Sequence, residues 1–284
     1  MEEAIRKADV LIEALPYIKA FHKKITVIKY GGSILGEDRV RKGVLEDIVF
    51  LSYMGLRPVL VHGGGPNISE RMRKSGKKTD FVDGMRVTDK ETLKIVEEEL
   101  EELNKKIVKE IEGLGGNARG YIADKNCILT AEKKKIKPDL GFVGKAVKLD
   151  TELITKDISS HVIPVISPMG KDVSGVKYNI NADDAASFVA SALGAIKFVL
   201  LTNVKGIMRD VNDPNSFLAS IKESEAKKLI KDKVIQAGMI PKIEACFQAI
   251  DGGVKKAHII DAKIPHALLL EIFTDKGIGT EIAK

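Results

Sequence analysis

Short β-branched runs alternate with stretches of helical periodicity along most of the chain. Each run is followed by apolar residues at helical spacing, which predicts a strand and then a helix. Repeated strand-helix units favour an α/β protein with a largely parallel sheet flanked by helices. The stretch 141–150, with its glycines and alternating valines, instead predicts an extended hairpin or an edge segment. The runs predicted as strands are 25–30, 57–62, 162–167, 197–202 and 256–260.

A long amphipathic segment, residues 89–113, carries a narrow apolar seam among many Glu and Lys residues and ends before two glycines. The seam either packs on the sheet of its own chain or pairs two subunits, and the pattern leaves both interpretations open. The residues of the seam are Leu93, Val96, Leu100, Leu103, Ile107 and Ile111.

A second amphipathic segment, residues 3–21, precedes the first predicted strand. Its apolar residues share one face, and Pro16 is expected to kink or break the helix because proline lacks the backbone donor. A terminal helix of this kind either docks or frays on its own chain or forms an arm between protomers. We treat residues 1–24 as a separate N-terminal helix.

Composition argues against several classes of function. The formal charge is +6, but 46 basic and 40 acidic residues are interspersed, so small anionic ligands explain the excess as well as nucleic acid does. Aromatic residues make up 5% of the chain and Trp is absent, which leaves little for stacking nucleobases. Since no apolar run approaches about 20 residues and Met1 is followed by acidic residues, we expect neither a membrane span nor export.

The cysteines and histidines suggest no metal site and no disulfide. Cys127 and Cys246 lie far apart in apolar surroundings, so we expect reduced thiols and a cytoplasmic location. The histidines are scattered without zinc-binding spacing, and core or surface roles are the default for them. Those considered are His62, His161, His258 and His266.

Two glycine-rich corners follow the first two predicted strands. The first contains Lys29, Gly31 and Gly32, and the second contains 62–67, where a helix is expected to begin near Pro66. Glycine lets the backbone approach a phosphate closely, and free amides at a helix start bind anions. Each corner alone also fits a tight turn, but together they favour a phosphate site at the carboxyl ends of parallel strands. The P-loop, dinucleotide and protein-kinase motifs are absent.

Three further segments carry polar groups at predicted strand or helix ends. Asn181 is placed to cap a small-residue helix at 185–193, next to Asp183. The segment 201–206 closes a strand, and 238–242 opens a helix with Lys242. Helix capping and a solvated lysine explain these residues equally well when each is taken alone.

Taken together, these motifs resemble the amino-acid kinase family, and within it the acetylglutamate kinases, over essentially the whole chain. The resemblance implies a three-layer αβα sandwich around a mainly parallel central sheet, with an acetylglutamate-binding lobe at 25–193 and an ATP-binding lobe at 194–284. The matching motifs are VIKYGGS at 27–33, VHGGGPNI at 61–68, GMRVTD at 84–89, NINADDAA at 179–186, LLTNVKGI at 200–207 and GMIPK at 238–242.

The resemblance also implies roles for individual residues. Lys29 and Lys242 would contact the transferred phosphoryl group and Asp183 would orient them. The residues implied to hold N-acetyl-L-glutamate are Gly64, Gly65, Arg86 and Asn179, and those implied for ATP are Gly31, Gly32, Thr202, Asn203 and Gly206. Many members of the family carry Asp where this chain has Asn203, which puts a strict nucleotide or metal role for that position in doubt.

Phosphorylation of a carboxylate needs no catalytic base, because a glutamyl side chain with a pKa of about 4.3 is already ionised at neutral pH. The chemistry is then positioning and charge stabilisation, with lysines and glycine amides around the transferring group. ATP would be the donor, and Mg²⁺ would be held mostly by its phosphates and water.

The two ends of the chain are similar to the arginine-inhibited branch of this family, in which such helices link dimers into a ring-shaped hexamer. The resemblance implies a homo-oligomer, a dimer or a hexamer built as a trimer of dimers, with feedback inhibition by L-arginine. It leaves open whether a regulatory protein of the PII type binds. The residues implied for arginine are His266, Glu271, Gly277 and Gly279.

The sequence leaves other functions open. The nearest is a sister kinase acting on an aminoadipate derivative, glutamate, aspartate, carbamate or a nucleotide monophosphate, against which GMRVT argues. Another is a catalytically silent arginine-sensing module, against which Lys29, Asp183 and Lys242 argue. A dinucleotide-dependent oxidoreductase lacks its glycine fingerprint.

Overall fold

The computed structural model describes residues 1–210, 213–235, 238–274 and 277–283. Within these ranges the chain alternates between helices and strands, as the sequence pattern predicts. None of the described helices combines the length and apolar character of a membrane span. The α-helices are α1 (Glu2–Phe21), α2 (Asp38–Tyr53), α3 (Gly65–Lys74), α4 (Lys90–Gly113), α5 (Thr151–Ser159), α6 (Ala182–Ala192), α7 (Glu223–Lys231), α8 (Ile240–Asp251) and α9 (Ala267–Ile272).

The strands fall into one large sheet, a small barrel and two short ribbons. They are β1 (Ile25–Tyr30), β2 (Arg57–His62), β3 (Phe81–Val82), β4 (Met85–Arg86), β5 (Ala118–Tyr121), β6 (Leu129–Lys133), β7 (Val143–Leu149), β8 (Ile163–Ile166), β9 (Met169–Lys171), β10 (Lys177–Ile180), β11 (Lys197–Thr202), β12 (Ile207–Met208), β13 (Phe217–Leu218), β14 (Ser220–Lys222), β15 (Lys256–Asp261) and β16 (Thr280–Ala283).

Within the described residues the large sheet has eight strands, in the order β14-β16-β15-β11-β1-β2-β8-β5. Every neighbouring pair is parallel except β15 with β16. All five strands predicted from the β-branched runs belong to this sheet, so the prediction of a largely parallel sheet is confirmed. β1 pairs directly with β11, so one sheet runs across the predicted lobe boundary at 193–194.

Helices cover both faces of the sheet. Val27 of β1 points into an apolar layer that includes α5, α6 and α8, whereas the next residue, Ile28, points into the opposite layer with α2, α4 and α9. Successive strand residues therefore fill two separate cores, which is the three-layer αβα arrangement expected.

A small closed barrel in the order β10-β7-β6-β9 stands apart from the large sheet. β7 covers most of the stretch predicted as a hairpin or edge, and it pairs antiparallel with β6 as a hairpin does. It is not an edge strand, because β10 pairs with its other side.

The two amphipathic helices behave differently. The seam of α4 faces its own chain, with Leu103, Ile107 and Ile111 in one core and Leu100 in another, so the intrachain interpretation is correct for these residues. α1 has no buried residue and continues through Pro16, so the expected break is absent.

Candidate active site

The two glycine corners meet at one edge of the sheet. β1 and β2 are parallel neighbours with Tyr30 in register with His62, so the residues that follow lie side by side. A side chain at Gly31 would place its Cβ 3.2 Å from the Cα of Gly63 and 3.1 Å from the Nζ of Lys29. Glycine therefore allows both corners and the Lys29 amine to come together.

Asp183 joins the two predicted catalytic lysines. It lies in the first turn of α6, which Asn181 caps by accepting from the Asp183 backbone N–H at 2.8 Å. One carboxylate oxygen, Oδ1, forms an ion pair with Lys29 Nζ at 2.7 Å, and the other accepts a hydrogen bond from Lys242 Nζ at 3.0 Å. A single carboxylate thus holds both amines close to the glycine corners.

Burial and charge oppose each other in this cluster. Burial lowers the pKa of Lys29 against the attraction of Asp183. Burial alone would raise the pKa of Asp183, but the charges of Lys29 and Lys242 outweigh it and lower that pKa to about 2. Asp183 is therefore ionised at neutral pH. Two amines facing one carboxylate suit a ligand that brings further negative charge.

A cavity of about 190 Å³ opens beside the cluster. The two corners, the β3–β4 hairpin and the start of α6 line it, and the structure brings all four residues predicted for the acceptor together there. The predicted residues in its lining are Lys29, Gly32, Gly64, Gly65, Arg86, Asn179 and Asp183.

Arg86 is a second buried cation of this cavity beside Lys29, with 5% of its surface exposed. Its guanidinium donates to the Gly65 carbonyl and to Ser69 Oγ, both at 2.9 Å, and lies 4.7 Å from the centre of the Phe81 ring. Burial lowers its pKa to about 10, so it stays charged at neutral pH. Among the described carboxylates none forms an ion pair with it, so an anionic ligand would complete its surroundings.

Asn179 and Gly64 shape the same cavity. The side-chain amide of Asn179 donates to Thr88 Oγ1 at 3.2 Å, which fixes its orientation at the cavity wall. A Cβ at Gly64 would lie 2.7 Å from Leu100 Cδ2, so glycine lets the loop pack directly on α4.

A second cavity of about 270 Å³ has Lys242 in its lining. Asn203 and Gly206, two of the residues predicted for ATP, line it together with apolar side chains of the segments around β12 and before α8, whereas Gly32 lines the first cavity. Thr202 is buried, and its hydroxyl lies 2.9 Å from the Val204 carbonyl and 3.2 Å from the Ile260 carbonyl. The side chain therefore stabilises the end of β11. Residues 211–212 and 236–237 of the predicted nucleotide segment lie outside the described residues.

The residues predicted for arginine do not all come together. His266 binds Asp47 Oδ1 at 2.7 Å through its ring, and this hydrogen bond raises its pKa. Glu271 is 4% exposed and pairs with Lys197 Nζ at 2.8 Å and His258 Nε2 at 3.1 Å. Burial lowers the pKa of His258 to about 4, so Lys197 supplies the positive charge beside Glu271.

The two predicted glycines of the tail do meet Glu271. The backbone N–H of Gly279 donates to Glu271 Oε2 at 3.3 Å, and the Ile278 N–H donates to the same oxygen at 3.1 Å. Gly277 has a φ of 59°, and a Cβ there would lie 2.7 Å from that oxygen. The loop thus wraps around the Glu271 carboxylate.

Sequence reasoning missed two sets of residues near these sites. Lys197 and His258 lie on β11 and β15, and only the pairing of these strands brings them to Glu271. Asn104 contacts His62 from α4, where its polar side chain interrupts an apolar seam. Asn104 could have been noticed in the sequence, because a polar residue on a predicted core face needs a buried hydrogen-bond partner.

The chain is similar to known proteins over most of its length. The model of the Amino acid kinase family matches residues 24–261. An acetylglutamate kinase of Methanocaldococcus jannaschii is 47% identical over 100% of this chain and 98% of its own length. An acetylglutamate kinase of Petrotoga mobilis is 48% identical over 99% and 95%.

Among solved structures, the N-acetylglutamate synthase of Neisseria gonorrhoeae is similar over 98% of this chain. Its complex with coenzyme A and N-acetyl-glutamate has a TM-score of 0.87 and 27% identity, and this chain spans 63% of that synthase. Its complex with coenzyme A and L-arginine has a TM-score of 0.84 and 26% identity, with 65% of that chain spanned.

The matched model covers most of the chain, and the two relatives are nearly half identical over at least 95% of their length. Asp183, Lys29 and Lys242 form one cluster whose members line the first cavity, for Lys29 and Asp183, and the second, for Lys242. The chain therefore belongs to the amino acid kinase family and is a phosphotransferase.

Proposed function

We propose that the chain transfers the γ-phosphoryl group of ATP to the side-chain carboxylate of N-acetyl-L-glutamate, giving N-acetyl-L-glutamyl 5-phosphate and ADP. The observation that carries this proposal is the placement of Asp183, which binds Lys29 in the lining of the first cavity and Lys242 in the lining of the second. Relatives named acetylglutamate kinase at 47% and 48% identity support the choice of acceptor.

The acceptor would occupy the cavity that contains Arg86. We assign its α-carboxylate to Arg86, whose planar guanidinium can donate two parallel hydrogen bonds. Asn179, Gly64 and Gly65 would hold the rest of the molecule, so that the side-chain carboxylate faces Lys29. The unpaired charge of the buried guanidinium supports an anionic acceptor over a neutral one.

The reaction needs positioning more than proton transfer. An oxygen of the ionised acceptor attacks the γ-phosphorus, a new O–P bond forms, and the bond to the bridging oxygen breaks with its electron pair leaving on ADP. Lys29 and Lys242 would balance the charge on the transferring group, while the backbone amides of Gly31, Gly32 and Gly64 would bind its oxygens. Asp183 would keep the two amines at a fixed separation.

The nucleotide would occupy the second cavity, beside Asn203 and Gly206, with its phosphates directed towards Lys242. Among the described residues no group of three or more His, Cys, Asp or Glu side chains is spaced to hold a metal ion. Mg²⁺ would therefore enter on the nucleotide phosphates and offset part of their charge.

We also propose feedback inhibition by L-arginine at the Glu271 cluster. Glu271 is the carboxylate that a guanidinium would pair with, in place of its ion pair with Lys197, and Gly277 and Gly279 provide backbone around it. His266 stays in this proposed site only because it directly precedes α9, since its ring binds Asp47. A synthase with a similar fold is known in complex with L-arginine.

The assembly proposed is a hexamer built from three dimers, with residues 1–24 as the linking helix. The exposed apolar residues of α1 support this assignment, because a contiguous apolar patch on a surface is stabilised when another protein surface covers it. Residues 25–193 are proposed as the acetylglutamate lobe and 194–284 as the ATP lobe of a cytoplasmic enzyme.

An ADP-release assay with MgATP and a panel of acceptors tests the proposal. N-acetyl-L-glutamate should give turnover well above that of glutamate, aspartate, carbamate, acetylated aminoadipate and nucleoside monophosphates. Higher turnover with another member of the panel would assign the chain to a sister activity, and turnover with none would favour a silent sensor. Titrating the active enzyme with L-arginine tests inhibition. Unchanged activity at millimolar arginine would exclude it.

A further inference from the structure

A buried hydrogen-bond chain links helix α4 to the second glycine corner. Asn104 Nδ2 lies 2.9 Å from the Val165 carbonyl and 3.1 Å from His62 Nε2. On the other side of the ring, His62 Nδ1 lies 2.8 Å from the Gly63 carbonyl. The chain thus runs from α4 through the imidazole to the first glycine of the corner.

The partners determine where the proton of His62 lies. The Val165 carbonyl only accepts, so it is the amide nitrogen of Asn104 that faces it, and this nitrogen only donates. His62 Nε2 must then accept, which leaves the ring proton on Nδ1, where it donates to the Gly63 carbonyl. Both side chains are at most 1% exposed. Burial lowers the pKa of His62 to about 4, so the ring is neutral at neutral pH.

The Gly63 residue is fixed from both sides. Its N–H donates to the Tyr30 carbonyl at 2.7 Å, and its carbonyl accepts from His62. In a trans peptide the carbonyl and the following N–H point in opposite directions. Fixing the Gly63 carbonyl therefore fixes the direction of the Gly64 N–H, in the loop that lines the acceptor cavity.

We propose that Asn104 is a positioning residue for phosphoryl transfer: by holding His62 with its proton on Nδ1, it aims the Gly64 N–H at the transferring group. The proposal rests on the proposed kinase reaction. Asn104 touches neither substrate and acts through His62 and Gly63. An amide donor held in place before the reaction stabilises developing charge without reorganisation, which is where such donors contribute most to rate.

Strand β5 leaves room for this amide. A Cβ at Gly120 would lie 2.1 Å from Asn104 Oδ1, a distance at which the end of the Asn104 side chain must move. The absence of a side chain at Gly120 therefore permits the observed position of Asn104. It also provides a way to displace Asn104 without changing it.

The first test replaces Asn104 with a group of the same shape that cannot donate. In an Asn104→Asp chain the new carboxylate accepts from Nε2, so the neutral ring loses its proton from Nδ1 and its bond to Gly63. We expect kcat with N-acetyl-L-glutamate to fall by about tenfold or more, with a smaller change in the acceptor KM. The new carboxylate raises the pKa of His62, and the Gly63 bond returns once both ring nitrogens are protonated. The deficit should therefore be largest at alkaline pH, where the ring is neutral, and shrink as the pH falls.

The second test reads the ring directly. In protein labelled with ¹⁵N-histidine, the His62 signal, assigned by its loss in a His62→Asn chain, should report a proton on Nδ1 in the wild type. Gly120→Ala should shift it and lower kcat as Asn104→Asp does. Ile107→Val, in the same buried face of α4, controls for a general loss of packing and should change neither.

Each outcome decides a separate point. A wild-type ring with its proton on Nε2 would overturn the hydrogen-bond assignment. The positioning role would be overturned if a variant had an altered ring but the kcat of the wild type. It would also be overturned if the kcat deficit of Asn104→Asp were the same at every pH, and Asn104 would then be a packing residue. A wild-type chain with the expected ring but no transfer to N-acetyl-L-glutamate would reject the proposed reaction, and the rate effect with it, while the hydrogen-bond assignment stands.

Discussion

Asp183 Oδ1 lies 2.7 Å from Lys29 Nζ, and both side chains are 8% exposed. A buried pair of this kind is weak evidence of stability but is costly to break from one side, because the remaining charge stays buried. The other oxygen of Asp183 binds Lys242, so one carboxylate controls the position of two amines. The role of Asp183 can therefore be tested apart from the roles of the lysines.

Replacing Asp183 with Asn keeps the shape and removes the charge. We expect kcat to fall by about 100-fold, since neither lysine keeps its anchor, and the thermal midpoint to fall because Lys29 loses its buried partner. Asp184→Asn is the matched control, because Asp184 is the next residue of α6 and pairs with the partly exposed Lys134. Steady-state kinetics and thermal unfolding of both chains provide the measurement. Equal kcat in the two variants would remove Asp183 from the catalytic cluster.

Arg86→Lys tests the grip on the acceptor. Lysine keeps the charge but cannot donate two parallel hydrogen bonds, so the KM for N-acetyl-L-glutamate should rise by about tenfold or more, with a smaller change in kcat. The KM for ATP should stay near its wild-type value. Arg73→Lys, an exposed arginine of α3 paired with Glu70, serves as the control. A fall in kcat at unchanged acceptor KM would place Arg86 in the transfer step instead.

Short-range pattern predicted much of this structure from the sequence. The central strands carry continuous apolar runs, and the glycine corners follow β1 and β2 directly, so parallel pairing was enough to bring Lys29 near Gly63. The association of Lys29 with Lys242 required the family resemblance, because no local pattern relates residues so far apart.

The relationships that escaped prediction depend on strand order and on buried polar contacts. Lys197 and Glu271 are 74 residues apart and meet because β11 and β15 are neighbours beneath α9. Asn104 and His62 are 42 residues apart and come from a helix and a strand end. His266 and Glu271 lie on one short helix segment, yet their side chains face different partners, Asp47 and Lys197.

His258 predicts a pH dependence of stability. Its pKa is 6.5 in the unfolded chain and is lowered to about 4 in the folded chain by burial, so between these values the unfolded state binds the extra proton. The free energy of unfolding is therefore unaffected by His258 above pH 6.5 and decreases as the pH falls from 6.5 towards about 4. One such proton corresponds to a slope of about 1.4 kcal/mol per pH unit.

His258→Asn should reduce that slope by about one proton, because the substituted residue does not titrate. Urea unfolding across this pH range, at one protein concentration, gives the slope for both chains. His62, whose pKa is also lowered to about 4, should keep part of the acid sensitivity in the variant. A variant with the full wild-type slope would mean that His258 is protonated in the folded chain.

The exposed apolar face of α1 predicts an interface. Leu11 and Ile12 are 67% and 69% exposed, and no residue of α1 is buried, whereas its last turn is anchored by Phe21 against the core. If α1 links protomers, Leu11→Lys with Ile12→Lys should reduce the mass in solution from a hexamer to a dimer, because two charges would have to enter an apolar contact. Light scattering measures this, and Glu13→Lys is the control for an added charge on the same helix. Both substituted residues are exposed and lie away from Phe21, so the fold of each protomer should stay intact. A doubly substituted chain that stays hexameric would therefore contradict the linking role.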